Sequence, residues 1–203
     1  MKIKKKIILL AAFALLLVLL LYTFQNRYAL TAVFYKTVRS YDKAIEQFTK
    51  AVGSNPRDSY SYYQLGLMYK DRKDFDRAES AYEKLLNISP DHPYANYDLG
   101  YVFREKGLYD NAVAQYNRAL RIDPRNTYAL SDIAYIYKET GRYEEALQQY
   151  RKVLEIDPSQ PFALWDIAVV YEKMGMKEKA DEQYRYYHEM TDCSFRKFWN
   201  CLD

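Results

Sequence analysis

The sequence predicts an all-α chain in which about five helical hairpins stack into a solenoid, followed by a short closing helix and preceded by one membrane-crossing helix. Three observations lead there. Pro56, Pro90, Pro124 and Pro158 recur at a step of 34 residues. Ala44, Ala78, Ala112, Ala146 and Ala180 keep the same step, and Phe48, Tyr82, Tyr116, Tyr150 and Tyr184 follow four residues behind each of them. From Ile7 to Phe24, 18 residues run without a charge, Gly or Pro. With 6 Gly and 6 Pro against 23 Tyr, the chain has few breakers and much amphipathic ring surface, which long helices accommodate.

The elements follow in chain order. As a helix, residues 7–24 span about 27 Å, close to the hydrocarbon thickness of a bilayer. The run ends in Leu21, Tyr22, Thr23 and Phe24 rather than in small residues, and no Cys follows it, so the sequence reads as an uncleaved signal-anchor. Tyr22 stands where an interfacial aromatic is expected. Residues 1–6 hold Lys2, Lys4, Lys5 and Lys6, whereas only Arg27 lies close behind the apolar run. The positive-inside rule then predicts a cytoplasmic basic tail and an extracytoplasmic body, on the periplasmic side of the inner membrane in a Gram-negative cell. The opposite arrangement, repeats facing the cytosol from an organelle surface, is the alternative.

The repeats fall at residues 25–58, 59–92, 93–126, 127–160 and 161–194. Gly66, Gly100, Ala134 and Ala168 are small where the first helix of a hairpin meets the second, and the Ala44 column is small on the other side. Gly107, Gly141 and Gly175 stand where a left-handed residue closes the turn inside a hairpin, and each Pro ends the second helix. The first unit departs most, with Thr31, Ala32 and Arg39 in these places. No Gly or Pro occurs before Gly53, so the anchor is expected to run stiffly into the first hairpin.

These columns resemble the tetratricopeptide repeat (TPR). Tyr62, Leu65, Gly66, Tyr69, Ala78, Tyr82 and Pro90 match its pattern almost fully, and Leu99, Gly100, Phe103, Ala112, Tyr116, Ala119 and Pro124 do so one unit later. The resemblance implies a right-handed α-α superhelix whose first helices line a concave, ligand-binding surface.

Beyond the repeats, Phe195, Phe198, Trp199 and Leu202 lie on one face of a helix, predicting a capping helix over residues 195–203. A docking segment is the alternative. Cys193 and Cys201 are a candidate disulfide outside the cytoplasm; on one straight helix they would be about 12 Å apart, so a bond needs the chain to turn after Asp192.

First-helix columns that the hairpin core does not require form the candidate partner-binding groove. They are Tyr60, Tyr94, Tyr128 and Phe162; Tyr63, Tyr97, Ser131 and Trp165; and Leu67, Tyr101, Tyr135 and Val169. Tyr94, Tyr97 and Tyr101 share one helix face, about 200° from the Leu99 and Phe103 stripe. Asp98, Asp132 and Asp166 accompany them, with Lys70, Arg104 and Lys138 further along. Two readings compete: rings and carboxylates face a partner, where a cation of that partner would be held by charge and ring together, or the rings pack between repeats and the charges are a solvated face pairing within each helix. The groove lacks the Lys, Arg and Asn with which relatives clamp the carboxylate tails of chaperones.

The net charge is +3, and with the four leading lysines removed the remaining chain carries −1, which excludes a basic nucleic-acid binder. With 2 His and 2 Cys and no phosphate loop or nucleophile elbow, no catalytic residue, metal site or cofactor is expected. The predicted function is that of a membrane-anchored protein-interaction scaffold for envelope-complex assembly or secretion. Glycan or peptidoglycan binding through the tyrosines is the runner-up, and oligomeric state is not legible.

Overall fold

The computed structural model describes Leu16, Val18, Tyr22 and residues 26–199, with side chains as far as Thr191. Among the described residues the chain is ten α-helices without a strand: α1 (Arg27–Thr37), α2 (Tyr41–Ser54), α3 (Ser59–Asp71), α4 (Phe75–Ile88), α5 (Ala95–Glu105), α6 (Tyr109–Ile122), α7 (Thr127–Glu139), α8 (Tyr143–Ile156), α9 (Pro161–Lys173) and α10 (Lys177–Trp199). They form two compact units, residues 1–90 and 91–203.

Each hairpin is closed in the same way. In the turn between α5 and α6, the Leu108 N–H donates to Phe103 O and the Gly107 N–H to Arg104 O, each at 2.9 Å, which ties off carbonyls the helix leaves unpaired. The residue between them must take a left-handed conformation, and Gly107 does so at φ 74°. Arg39 and Lys73 hold the same conformation, at φ 59°, in the first two turns. Helix starts come from side-chain caps: Asp58 accepts from the Ser61 N–H at 3.1 Å and Asn126 from the Ala129 N–H at 3.0 Å. The prolines lie just beyond the second helices, where their missing N–H costs nothing.

In the 1–90 unit α1 packs on α2, α3 on α4, and α2 on α3. Its core gathers Ala32, Ala44, Phe48, Leu65, Met68 and Ala81. In the 91–203 unit α6 packs on α7 and α8 on α9, around Leu130, Ala134, Leu147, Tyr150, Val153, Ile167 and Val170. Gly100 shows why the small column is needed: a Cβ there would come within 2.8 Å of the Tyr116 ring. Gly66 stands in the same relation to Tyr82, at 2.5 Å.

At the far end the expectation of a separate capping helix over 195–203 is corrected. One helix runs from Lys177 to Trp199, so residues 195–199 prolong α10, because nothing between Thr191 and Phe195 breaks a helix. The helix is still continuous after Asp192, where a Cys193–Cys201 bond needed a turn; Cys201 itself lies outside the described residues. The expected basic tail and most of the 7–24 anchor also lie outside them. Among the described residues no helix is long and apolar enough to cross a membrane.

Candidate functional site

In the 91–203 unit the first helices α5, α7 and α9 each carry one member of every predicted column. The leading column is open to solvent: Tyr94, Tyr128 and Phe162 are 62%, 72% and 79% exposed. Each sits at the start of its helix, next to the turn that enters the repeat.

The second column is split between packing and exposure. The Tyr97 ring lies 5.5 Å from the ring of Tyr116 on α6, and Trp165 lies 4.9 Å from Tyr184 and 5.3 Å from Tyr187 on α10. Trp165 nevertheless keeps 44% of its surface open, whereas Tyr97 is half-buried. In the third column Tyr101 is half-buried and Tyr135 is 40% exposed. The outer row is thus open to solvent, while Tyr97 and Trp165 lie against the second helix of their own hairpin rather than between repeats.

The charged columns behave differently from either expectation. Arg104 on α5 pairs with Asp132 on α7, and Lys138 on α7 donates to Asp166 on α9 at 2.6 Å. The cation of one repeat thus reaches the carboxylate of the next, 28 residues on, instead of a neighbour within its own helix. Arg104 also lies over the rings of Tyr101 and Tyr135, at 4.8 and 5.6 Å, and Lys138 over Tyr135 at 5.2 Å. Asp132 and Asp166 are engaged by the protein's own cations, so the suggestion that they await a cation from a partner is not what this geometry offers.

The ion pairs are partly shielded from water. Burial pushes the Asp132 carboxyl up, with Arg104 pulling the other way. Burial is the strongest single influence against the Arg104 charge, but Asp132, Tyr116 and Glu105 together outweigh it and hold the guanidinium above its ordinary range. Burial first, and the Asp132 carboxylate second, raise the Tyr97 and Tyr116 phenols; burial and Asp166 do the same to Tyr150. The Tyr116 and Tyr150 hydroxyls are sealed from solvent and lie toward these carboxylates outside regular hydrogen-bond geometry. All of these phenols stay neutral at physiological pH, and what remains open on the face is ring surface.

In the 1–90 unit Tyr60 is exposed, while Tyr63 and Leu67 are half-buried and the Tyr63 ring lies 6.2 Å from Tyr82. There Lys36 Nζ donates to Gln64 Oε1 at 2.5 Å from one first helix to the next, and Arg72 pairs with Asp42 at 2.7 Å between the same two repeats. Gln64 occupies the aspartate column one repeat before Asp98, which is itself buried. The step of 34 residues would have shown it.

Two further features were not read from the sequence. Glu172 stands in the cation column and accepts the Tyr184 hydroxyl at 3.1 Å. His92 occupies the cap column of Asp58 and Asn126, and its Nδ1 accepts the Ala95 N–H at 3.2 Å. Desolvation lowers its pKa, with Asp98 opposing, so the imidazole is neutral and able to accept at pH 7. Among the described residues no group of His, Cys, Asp and Glu converges as a metal site would require.

Comparison with known proteins agrees with this architecture. Profiles described as tetratricopeptide repeat match residues 35–93 and 63–127, another of that description matches 115–148, and a TPR repeat profile matches 134–175. No curated protein sequence matches significantly. Among solved structures, a crystal structure of MamA protein superposes with TM-score 0.81 at 20% identity, covering 86% of this chain and 95% of that one. MamA from Desulfovibrio magneticus RS-1 gives 0.77 at 18% identity over 83% and 96%. YrrB, described as a TPR protein with an unusual peptide-binding site, gives 0.72 at 24% identity over 80% and 84%. Proteins of this repeat mediate protein–protein interaction. With its repeat columns, its hairpin geometry and profile matches running from residue 35 to residue 175, the chain belongs to the tetratricopeptide-repeat family.

Proposed function

We propose that this protein is a membrane-anchored interaction scaffold whose 91–203 unit holds a segment of a partner protein against the outer ring row. The observation that carries the reading is that row: three aromatic side chains in register on three successive first helices, 62% to 79% exposed. A row of exposed rings is an unusual surface for a protein to leave open, and rings are the side chains that most often anchor an interface. Because Asp132 and Asp166 are already paired, the fitting segment is one rich in apolar and aromatic side chains, seated between Tyr128, Phe162 and Trp165. The peptide-binding site named for YrrB supports a peptide as the ligand class.

Anchoring rests on the 18-residue apolar run and the lysines before it. The Asn26 N–H donates to Tyr22 O and the Leu30 N–H to Asn26 O, each at 3.0 Å, which favours a stiff mounting of α1 on the anchor. The role that fits is assembly or secretion at the cell envelope, with the repeats outside the cytoplasm. A topology reporter fused after Asp203 tests the orientation: an extracytoplasmic signal supports it, and a cytosolic one moves the protein to the organelle-surface alternative.

The groove is tested by a photo-crosslinking residue at position 128 or 162 in the full chain in its own membranes. The expected outcome is an adduct from both positions to one segment of one partner polypeptide, lost when Trp165 is changed to Ala. Adducts to glycan strands alone, with retention on a polysaccharide column, would replace this reading with the carbohydrate one.

A further inference from the structure

A second surface is built on the opposite principle, by a face the fold normally buries. In α3, Ser61, Gln64, Leu65 and Met68 are buried at 7% exposure or less, and α2 of the preceding hairpin packs against this helix. One repeat earlier the same four positions are Arg27, Leu30, Thr31 and Phe34 on α1, and all four are exposed. Leu30, Phe34 and Val38 are 54%, 59% and 52% exposed and stand four residues apart, so they form one apolar ridge.

The other end of the repeat series is finished differently. α8 seats Leu147 and Leu154 in the core shared with α9; the corresponding positions of α10 are Asp181 and His188, both exposed. A polar outer face is what a terminal repeat needs for solubility, and α10 has one while α1 does not. At Asp181 and His188, α10 presents polar side chains where a second copy stacked head to tail would seat its α1 ridge.

We infer that the α1 ridge is a docking surface for an amphipathic helix of a partner protein, lying where the second helix of a preceding hairpin lies on α3, α7 and α9. The charge around the ridge specifies that helix further. Arg27 and Arg39 flank the ridge in sequence and residues 26–41 hold no Asp or Glu, while Lys36 is turned to Gln64 on α3, so the incoming helix fits best with carboxylates flanking its apolar stripe. Arg27 replaces the small residue that the later repeats have at this position, Ser61, Ala95, Ala129 and Ala163. That substitution sets a guanidinium, itself donating to the Tyr28 hydroxyl at 2.9 Å, beside the first turn of α1 where the incoming helix begins. The ridge belongs to the 1–90 unit and the ring row to the 91–203 unit.

The test places a photo-crosslinking residue at Phe34 and, in a second protein, at Phe162, each in the full chain in its own membranes, with the adducts mapped to residues. The inference expects position 34 to label a helical segment of another polypeptide, with apolar residues three and four apart and Asp or Glu beside them. Leu30→Glu should reduce that adduct at least tenfold while leaving the Phe162 adduct and the thermal unfolding midpoint unchanged. Adducts joining two copies of this chain, adducts to lipid only, no adduct, or labelling that survives Leu30→Glu would each overturn it. Loss of the Phe162 adduct alone would instead count against the groove reading and leave this one standing.

Discussion

The 1–90 and 91–203 units use one repeat but stabilise it differently, and the contrast separates what the repeat requires from what this protein adds. In the first unit the contact between successive first helices is a lysine on a neutral amide, Lys36 to Gln64, and the nearby core ring is Phe48, which has no hydroxyl. In the second unit the same positions hold Arg104 with Asp132 and Lys138 with Asp166, over the hydroxyl-bearing Tyr116 and Tyr150. The turns differ too: Arg39 and Lys73 bear left-handed strain in the first unit, where Gly107, Gly141 and Gly175 relieve it in the second. Stacking needs the small and apolar columns in both units; the charged rungs lock the register of the unit that carries most of the exposed rings.

The largest effect is expected from breaking a rung. Arg104→Met leaves the Asp132 carboxylate shielded and unpaired beside Tyr97 and Tyr116, and should cost about 3 kcal/mol. Lys36→Met frees only a neutral amide and should cost about 1 kcal/mol. Urea denaturation followed by tryptophan fluorescence reads the 91–203 unit, since Trp165 and Trp199 both belong to it, and far-ultraviolet circular dichroism reads both units. Equal costs for the two variants would remove the distinction drawn between the units.

Next in size is Gly100→Ala. The gain in helix propensity, about 1 kcal/mol, is outweighed by forcing a methyl group within 2.8 Å of the Tyr116 ring, leaving a net loss of about 1 to 2 kcal/mol. Adding Tyr116→Leu should recover part of that loss in a double-mutant cycle.

The His92 cap sharpens the comparison through pH. Its folded pKa lies below the ordinary 6.5, so its contribution is present in full above about pH 6.5 and is lost as pH falls through the folded value, when Nδ1 is protonated and stops accepting. Loss of a cap costs about 1 kcal/mol, and weaker protection of the Ala95 amide against exchange as His92 becomes protonated reports it. His92→Asn should flatten that dependence, because the Asn126 cap of α7 works without a titrating group. The smallest effect is expected from Lys73→Gly, a gain of about 0.5 to 1 kcal/mol as the left-handed strain is relieved, measured by the thermal midpoint.

Much of the fold was legible because the repeat requirement is local and periodic. Ala44, Ala78, Ala112 and Ala146 are fully buried, as a column of small residues at helix crossings must be, and the turn glycines are left-handed as their place after the first helix implied. The candidate site was legible as a set of columns but not as roles. Nothing in the spacing says that Arg104 reaches Asp132 rather than a residue on its own helix, since a 28-residue contact exists only once two hairpins are stacked. The C-terminal cap was misread because a hydrophobic face signals a helix but not where the preceding helix stops.

The sequence by itself determined the hairpins, their period, their turns and which positions must be small, because each follows from backbone conformation and close contact within one repeat. Only the tertiary structure decided which rings stay open, which carboxylates are already neutralised and that, among the described residues, nothing covers the α1 ridge as its equivalents are covered. Those are properties of pairs of repeats, set by what the neighbouring helix buries or leaves in water, and no single repeat encodes them.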